Sequence, residues 1–324
     1  MEILKVSVII TTYNMERYIK KSLESALNQI TNFSYEIIIS DDCSTDNTLK
    51  ILEHYQIMYD KKVRIINSAT NTGIIENIKR ALKSAKGKYI AFLDADDYWI
   101  TNDKLQKQYD ILEKQLEIDY VYTNFKYIDE NGICGGNGID TKFRNPIKGN
   151  FIPYLLAPYI SPSCICFKKQ ILDFQIFNEL NTDKYSSQEY ALFLDFTAKA
   201  NGYFLNEITM HYTVRKNSLS RKNNFEDKIK TTQSSFEVAN QFLKAHPIPY
   251  PINEKRIFNY NLKLLLISWE SMNINVVKRF TTKLTLLQFL KYNPKATYIY
   301  IASKNKYLYQ LFRPWVLRKR PPGK

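Results

Sequence analysis

Glycine is scarce, with nine in 324 residues, and none forms a G-x-G-x-x-G array behind the first strand-like run. That run, Val6-Ser7-Val8-Ile9-Ile10, ends on Thr11-Thr12-Tyr13-Asn14, which excludes the turn by which a nicotinamide dehydrogenase approaches its pyrophosphate. Histidine is scarcer still. His54, His211 and His246 are scattered, so a structural zinc site of the usual spacing is excluded. Four cysteines cannot make a disulfide scaffold in a chain this long. Cys164 and Cys166 stand one residue apart, which suits neither a CxxC redox pair nor a zinc knuckle, and all four are expected as reduced thiols, these two in a buried strand. No window reaches the roughly 18 to 20 apolar residues of a membrane span; the densest, Leu262 to Trp269, is broken by Lys263. Met1 to Lys5 leads into the first strand without the basic and apolar regions of a signal peptide. The expectation is a cytoplasmic protein, or one peripheral on the inner face of the plasma membrane.

Charge is plentiful but unevenly placed. The formal net charge is +14. Residues 1–220 hold 26 Lys+Arg against 27 Asp+Glu, whereas residues 221–324 hold 20 against 5. The positive excess therefore sits in the last third, and such asymmetry points to an anionic partner for that region. A nucleic acid is not expected, because no recognition motif accompanies the charge and the N-terminal region is slightly acidic. Basic residues interleave there with Tyr298, Tyr300, Tyr307, Tyr309, Phe312 and Trp315, which suits an anionic membrane surface; an ordinary solvated basic face is the alternative.

Apolar runs and helical periodicity alternate through the first two-thirds. Strands are expected at Val6–Ile10, Glu36–Ser40, Val63–Ile66 and Tyr89–Leu93. Helices are expected at Met15–Gln29, at Asn47 to about Tyr59 with Asp46 as N-cap, and at Ile75–Ala85 closed by Gly87. Continuously apolar strands alternating with helices predict a parallel sheet covered on both faces. In such sheets ligands bind beyond the carboxyl ends of the strands, and three of these ends are polar: Thr11 to Asn14, Asp41-Asp42, and Asp94-Ala95-Asp96-Asp97. After a helix at Leu105–Leu116, strand-like segments at Tyr120–Tyr127 and Ser163–Phe167 flank a glycine-rich loop. A helix over Tyr185–Ala200 and a turn, strand and loop over Gly202–Asn217 follow. Beyond Ser220 only helices are expected, at Phe225–Lys244, Glu254–Met272, Val276–Tyr292 and Ala296–Val316. The division expected is a catalytic α/β domain over 1–222 and a basic helical region over 223–324.

Three carboxylates in four residues repel one another unless a cation or hydrogen-bond donors offset them. Hard divalent ions such as Mg²⁺ and Mn²⁺ prefer such oxygen ligands and keep positions open for phosphate oxygens, although a DxD triplet alone also suits a solvated acidic turn. A carboxylate at Asp42 can accept from an imide N–H or from ribose hydroxyls, and the Tyr13 ring can stack on a flat base; an Asx turn and plain packing would use the same residues.

Together these segments resemble the family-2 inverting glycosyltransferases of the GT-A fold. The resemblance is carried by Val6 to Asn14, Ile39-Ser40-Asp41-Asp42-Cys43-Ser44-Thr45-Asp46-Asn47-Thr48, Asn71-Thr72-Gly73 and Ala85 to Trp99, in order and at matching spacing over about residues 4–116. Asp96-Asp97-Tyr98-Trp99 followed by Lys104-Leu105-Gln106-Lys107-Gln108 looks like the branch that builds bacterial surface polysaccharides: capsule, O-antigen or cell-wall glycan. The resemblance implies a GT-A-like, Rossmann-type, mostly parallel sheet and a metal-dependent, hexosyltransferase-like activity. The donor would be a nucleotide sugar, UDP-linked by family preference, and the acceptor a glycan or lipid-linked hydroxyl. It implies that Thr11, Tyr13, Asn14, Asp42 and Asn71 bind the donor, that Asp94 sits at the diphosphate, and that Asp96 ligates Mn²⁺ or Mg²⁺. Glu189, in Gln188-Glu189-Tyr190-Ala191-Leu192-Phe193-Leu194, takes the place of the catalytic base, where the family more often has aspartate. Tyr212 to Ser220 resembles the loop that closes over the donor. Many relatives have a metal-binding histidine where this chain has Arg215, which can pair with diphosphate oxygens instead. An arginine common near Ile78 is missing, and Lys79 or Arg80 would supply its charge. These departures leave a second reading, a non-catalytic relative that binds a nucleotide sugar or glycan.

Overall fold

The computed structural model describes residues 4–132, 134–139, 145–175, 188–215 and 224–318. The described residues form two compact units, those between 4 and 214, and residue 215 with 224–318.

The first unit is built on a nine-stranded sheet. Its first half runs β1 (Val6–Thr12), α1 (Ile19–Leu27), β2 (Tyr35–Asp41), α2 (Thr48–Met58), β3 (Val63–Asn67), α3 (Ile74–Ser84) and β4 (Tyr89–Phe92). The four strands lie in the order β3-β2-β1-β4, all parallel. Every residue of β2 and β4 is buried, which explains why their sequences are continuously apolar rather than alternating. β5 (Tyr98–Trp99), α4 (Lys104–Lys114), β6 (Tyr120–Asp129), β7 (Cys134–Asn137), α5 (Ile152–Leu156), β8 (Ile165–Lys168), the helix Gln188–Lys199 and β9 (Gly202–Val214) complete the unit. β8 joins β4 antiparallel, and the order continues β8-β6-β9-β5, with β7 pairing antiparallel to β6 beyond β8. β6 and β9 are parallel. The sheet is therefore parallel where the α/β alternation is regular and mixed beyond β4.

Three local expectations shift. Gly87 does not cap α3, which closes at Ala85 in an extended conformation. Gly87 is required by close approach: a Cβ there would sit 2.5 Å from the Ser7 amide nitrogen, and the Gly87 N–H donates to Ser7 Oγ at 2.9 Å. Asn47 rather than Asp46 occupies the N-cap of α2 without a side-chain bond; Asp46 still satisfies an orphan donor, accepting from the Thr48 N–H at 2.9 Å. The glycine-rich segment is not all loop, since Cys134–Asn137 pairs with β6. Cys164 and Cys166 are buried free thiols, as expected, but only Cys166 lies in β8; Cys164 ends the 3-10 turn that precedes it.

The second unit is helical: Phe225–Ala245, Tyr250–Ser268, Ile274–Thr281, Leu286–Tyr292, Thr297–Lys304 and Lys306–Arg318. Its core gathers Phe258, Leu264, Leu265, Trp269, Val277 and Phe289. Two helices expected as continuous are each broken by a capping residue. Thr285 makes a reciprocal capping box with Gln288, and Asn305 Oδ1 accepts from the Tyr307 and Leu308 N–H groups. Both polar caps lie inside stretches whose apolar period reads through them.

Candidate active site

The carboxyl ends of β1 and β2 are pinned together by α3. That helix buries Ile75, Ile78, Ala81 and Leu82 against the sheet at helical spacing, which turns Asn77 toward the strand ends. Asn77 Nδ2 donates to the Ser40 carbonyl at 2.9 Å and the Thr12 carbonyl at 3.4 Å. Three residues on, Arg80 donates to Ser40 Oγ at 3.2 Å and to Asp42 Oδ1 at 3.3 Å. Lys79 pairs with Glu76 instead. Of the two cations considered for this place, Arg80 is the one at Asp42.

Asp42 is only 3% exposed. Its Oδ1 accepts from the Thr72 amide and hydroxyl at 3.0 and 2.8 Å, and its Oδ2 from the Gly73 amide at 2.7 Å. The carboxylate thus holds the 71–73 turn, where Gly73 has a φ of 83°. Asn71 is exposed on that turn and accepts from the Gly73 N–H at 3.2 Å. Asn14, in the left-handed region with a φ of 54°, is a clamp: its N–H donates to Ser44 Oγ and its Oδ1 accepts from the Thr45 N–H at 2.8 Å. Directly beyond β1, Tyr13 stands 42% exposed, an aromatic ring of the kind that can stack on a flat base.

A small cleft opens beside β1 and β4. Its walls take Thr11, Asp94 and Glu189, together with the apolar Ile78, Phe92 and Leu192. Two carboxylates almost a hundred residues apart in sequence therefore face one cavity. Glu189 lies in the first turn of the helix Gln188–Lys199, which is held by aromatic packing of Phe193 against Tyr154 and of Phe196 against Phe167 and Tyr120. Burial pushes the Glu189 carboxyl above the ordinary glutamate range. Although a helix N-terminus favours the anion, desolvation outweighs it here.

The three aspartates after β4 do not play equal parts. Asp97 is buried, its Oδ1 accepting from the Thr213 N–H at 2.9 Å and its Oδ2 from Ser163 Oγ at 2.7 Å. Burial, then the neighbouring charges of Asp94 and Asp96, push its carboxyl well above the usual range against those two donors. Asp97 thus ties the acidic turn to β9. Asp94 and Asp96 remain partly exposed at the rim. Two hard oxygen donors on one turn suit Mg²⁺ or Mn²⁺ with positions left for phosphate oxygens, so the donor set fits such an ion. Among the described residues no cluster of three or more His, Cys, Asp or Glu has metal-holding geometry.

Ser163 is the residue that sequence reasoning passed over. Its Oγ accepts from the Asp94 N–H at 2.9 Å and lies 2.7 Å from Asp97 Oδ2 and 3.2 Å from Asp94 Oδ2. One hydroxyl proton serves two carboxylates. Ser163 is itself held by the motif that follows the acidic turn. Trp99 Nε1 donates to its carbonyl at 2.8 Å, and Gln108, anchored by the buried Lys104, donates to the next carbonyl at 2.9 Å. No spacing links position 163 to position 94; the only signal was a polar residue entering a buried strand. Ser163→Ala should destabilise the fold by about 1–3 kcal/mol, since it strips a donor from a buried carboxylate. A denaturant midpoint unchanged from the parent would refute that role.

His211 lies in β9, where its Nδ1 is 2.8 Å from the Tyr98 hydroxyl. Arg215 directly follows β9, is partly buried, and belongs to the second unit. Residues 216–220 of the proposed closing loop lie outside the described residues.

The model of the family described as "Glycosyl transferase family 2" matches residues 7–174. The Escherichia coli UDP-Glc:alpha-D-GlcNAc-diphosphoundecaprenol beta-1,3-glucosyltransferase WfgD is 30% identical over 240 residues, covering 74% of this chain and 87% of that protein. An uncharacterized Mycobacterium tuberculosis protein is 37% identical over 164 residues, covering 51% of this chain; that alignment spans only 47% of the relative's length. Among solved structures, Staphylococcus aureus TarS 1-349 in complex with UDP-GlcNAc superposes with a TM-score of 0.59 at 22% identity, over 94% of this chain and 91% of that one. The mannosyltransferase PcManGT from Pyrobaculum calidifontis, in complex with GDP-Man and Mn2+, superposes with a TM-score of 0.54 at 14% identity, over 98% and 88%. These structural likenesses establish a shared GT-A-like fold. The chain belongs to glycosyl transferase family 2.

Proposed function

We propose that the chain is an inverting glycosyltransferase that moves a sugar from a UDP-linked donor to an acceptor hydroxyl during bacterial surface-polysaccharide synthesis. The observation that carries this reading is the meeting of Glu189, Asp94 and Thr11 in one cleft at the carboxyl edge of the parallel strands. WfgD is named for a UDP-linked donor and a lipid-diphosphate acceptor, and a chain of the same fold binds UDP-GlcNAc; both support the choice of donor class.

In this mechanism the Glu189 carboxylate takes the proton of the acceptor hydroxyl as that oxygen attacks the anomeric carbon. The bond from that carbon to the diphosphate breaks, the glycosidic bond forms on the opposite face, and the nucleoside diphosphate departs with the bonding pair. Burial makes Glu189 more basic than an ordinary glutamate, which favours its taking the proton. Tyr13 stacks on the base, while Thr11 and the turns held by Asn14 and Asp42 shape the nucleoside subsite. Asp96, with Asp94 beside it, would hold Mn²⁺ or Mg²⁺, which when bound supplies positive charge at the leaving diphosphate.

The test is a panel of nucleotide sugars with Mn²⁺, read by nucleoside diphosphate release and by thermal shift. UDP at about 100 times its dissociation constant should stabilise the protein by about 2.7 kcal/mol, and one UDP-sugar should be turned over. Binding without turnover of any donor, with or without acceptor lipid, would establish the non-catalytic relative instead.

A further inference from the structure

The last 54 residues, 271–324, contain twelve Lys and Arg and no Asp or Glu. Within them, the helix Lys306–Arg318 is apolar on two opposite faces. Its inner face carries Tyr309 and Val316, both buried, with Tyr309 against Trp269 and Phe312 against Tyr298. At 100° per residue, Tyr307, Leu311 and Trp315 fall within one quarter-turn on the other side. They are 81%, 70% and 41% exposed, and Pro314 lies exposed between them. The inner face completes the core of the unit; at the edge of the outer stripe Trp315 meets Tyr298 edge-on at 4.8 Å between ring centroids, while Tyr307 and Leu311 stay largely exposed. Apolar side chains left on the outer side of a surface helix need an apolar or interfacial surface to cover them.

Basic residues bound the stripe at both ends. Lys304 and Lys306 are exposed before it, and the sequence runs Arg318-Lys319-Arg320 after it. Thirteen residues make a helix of about 20 Å, too short for the roughly 30 Å of a hydrocarbon core, and no described helix is long and apolar enough to cross a membrane. We propose that this outward stripe lies in the plane of an anionic phospholipid bilayer, with Tyr307, Leu311 and Trp315 sunk to the headgroup–acyl boundary and the flanking cations on lipid phosphates. Charge complementarity selects this occupant. A second copy of the chain would bring like charges together without a carboxylate to offset them. A single-stranded nucleic acid would stack on aromatic faces, whereas Leu311 at the centre of the stripe offers none. An interfacial helix with aromatic and leucine residues on one side and basic flanks meets the physical requirements for surface binding.

The tryptophans give a direct readout. Trp99 and Trp269 are buried and Trp315 is the exposed third. The full chain, without donor, is mixed with phosphatidylcholine vesicles with or without phosphatidylglycerol, at low and physiological salt. The expected result is co-sedimentation and a blue-shifted tryptophan emission with the anionic vesicles, both weakened by salt. Leu311→Ser with Trp315→Ser should weaken co-sedimentation by about tenfold or more, and Leu311→Ser alone keeps the emission signal while binding less. Leu311 is exposed, so the circular dichroism of Leu311→Ser should be unchanged, and that single variant separates a loss of binding from any effect of losing the Trp315–Tyr298 contact. Vesicle binding undiminished by these substitutions, or no binding at all, would overturn the proposal. So would equal binding to DNA, or a dimer in solution that the substitutions dissociate. Because no sugar donor is present, a failure here is separate from any failure of the transferase reading.

Discussion

Glu189→Gln should lower transfer by about 10² to 10⁴-fold, the span of general-base contributions, while UDP affinity stays within a few-fold of the parent. The amide keeps the size and the apolar contacts of the side chain but cannot accept the acceptor's proton. The pH profile gives an independent sign. Burial raises the Glu189 carboxyl above the ordinary value of about 4.3, and the base works only when ionised. Activity should therefore rise with pH through an apparent pKa above that value, and the acid limb should vanish from the residual activity of Glu189→Gln. Rate measurements from pH 4.5 to 8.5 check this. A Glu189→Gln protein with near-parent turnover would remove this residue from the mechanism.

Asp96→Ala carries the second large effect. It takes away one of two half-exposed carboxylates at the rim, so both donor affinity and the response to Mn²⁺ should suffer. A loss of about 10² to 10³-fold in kcat/KM is expected, comparable to removing one preorganised group that stabilises developing negative charge. The informative comparison is thermal shift by UDP with and without Mn²⁺. In the parent, Mn²⁺ should enlarge the shift; in Asp96→Ala the two shifts should coincide. Equal Mn²⁺ dependence in both proteins would place the ion elsewhere.

The legible part of the fold was the part governed by local rules. Buried parallel strands leave continuous β-branched runs, and these predicted β1 to β4 and the polar strand ends beyond them. β5 and β7 were missed for a physical reason. Two residues, Tyr98-Trp99, show no period, and their pairing with His211 and Met210 is decided by a strand more than a hundred residues away. Tertiary context also decided Gly87. In sequence a glycine after a helix reads as a cap, but the proximity of Ser7 is what excludes a side chain.

The candidate site was legible as a set of residue types and less so as a set of contacts. Asp94 and Glu189 were singled out, and both line one cleft. The division of labour among the carboxylates was not visible, because it rests on donors from distant segments. Thr213 and Ser163 hold Asp97, while Thr72, Gly73 and Arg80 hold Asp42. Asp42 thus holds the 71–73 turn, and in the proposed function it would act on the nucleoside through that turn as well as directly. The second helical unit shows the same limit. Its net charge was plain from composition, but the outward placement of Tyr307, Leu311 and Trp315 depends on which face the core takes.

The most direct measurement is a crystal structure of the Glu189→Gln protein with intact UDP-sugar donor and Mn²⁺. The account predicts the diphosphate and its ion beside Asp94 and Asp96, the uracil ring against Tyr13, and the residue-189 amide on the acceptor side of the anomeric carbon. A donor bound away from the β1–β4 cleft, or with position 189 on the diphosphate side, would contradict it.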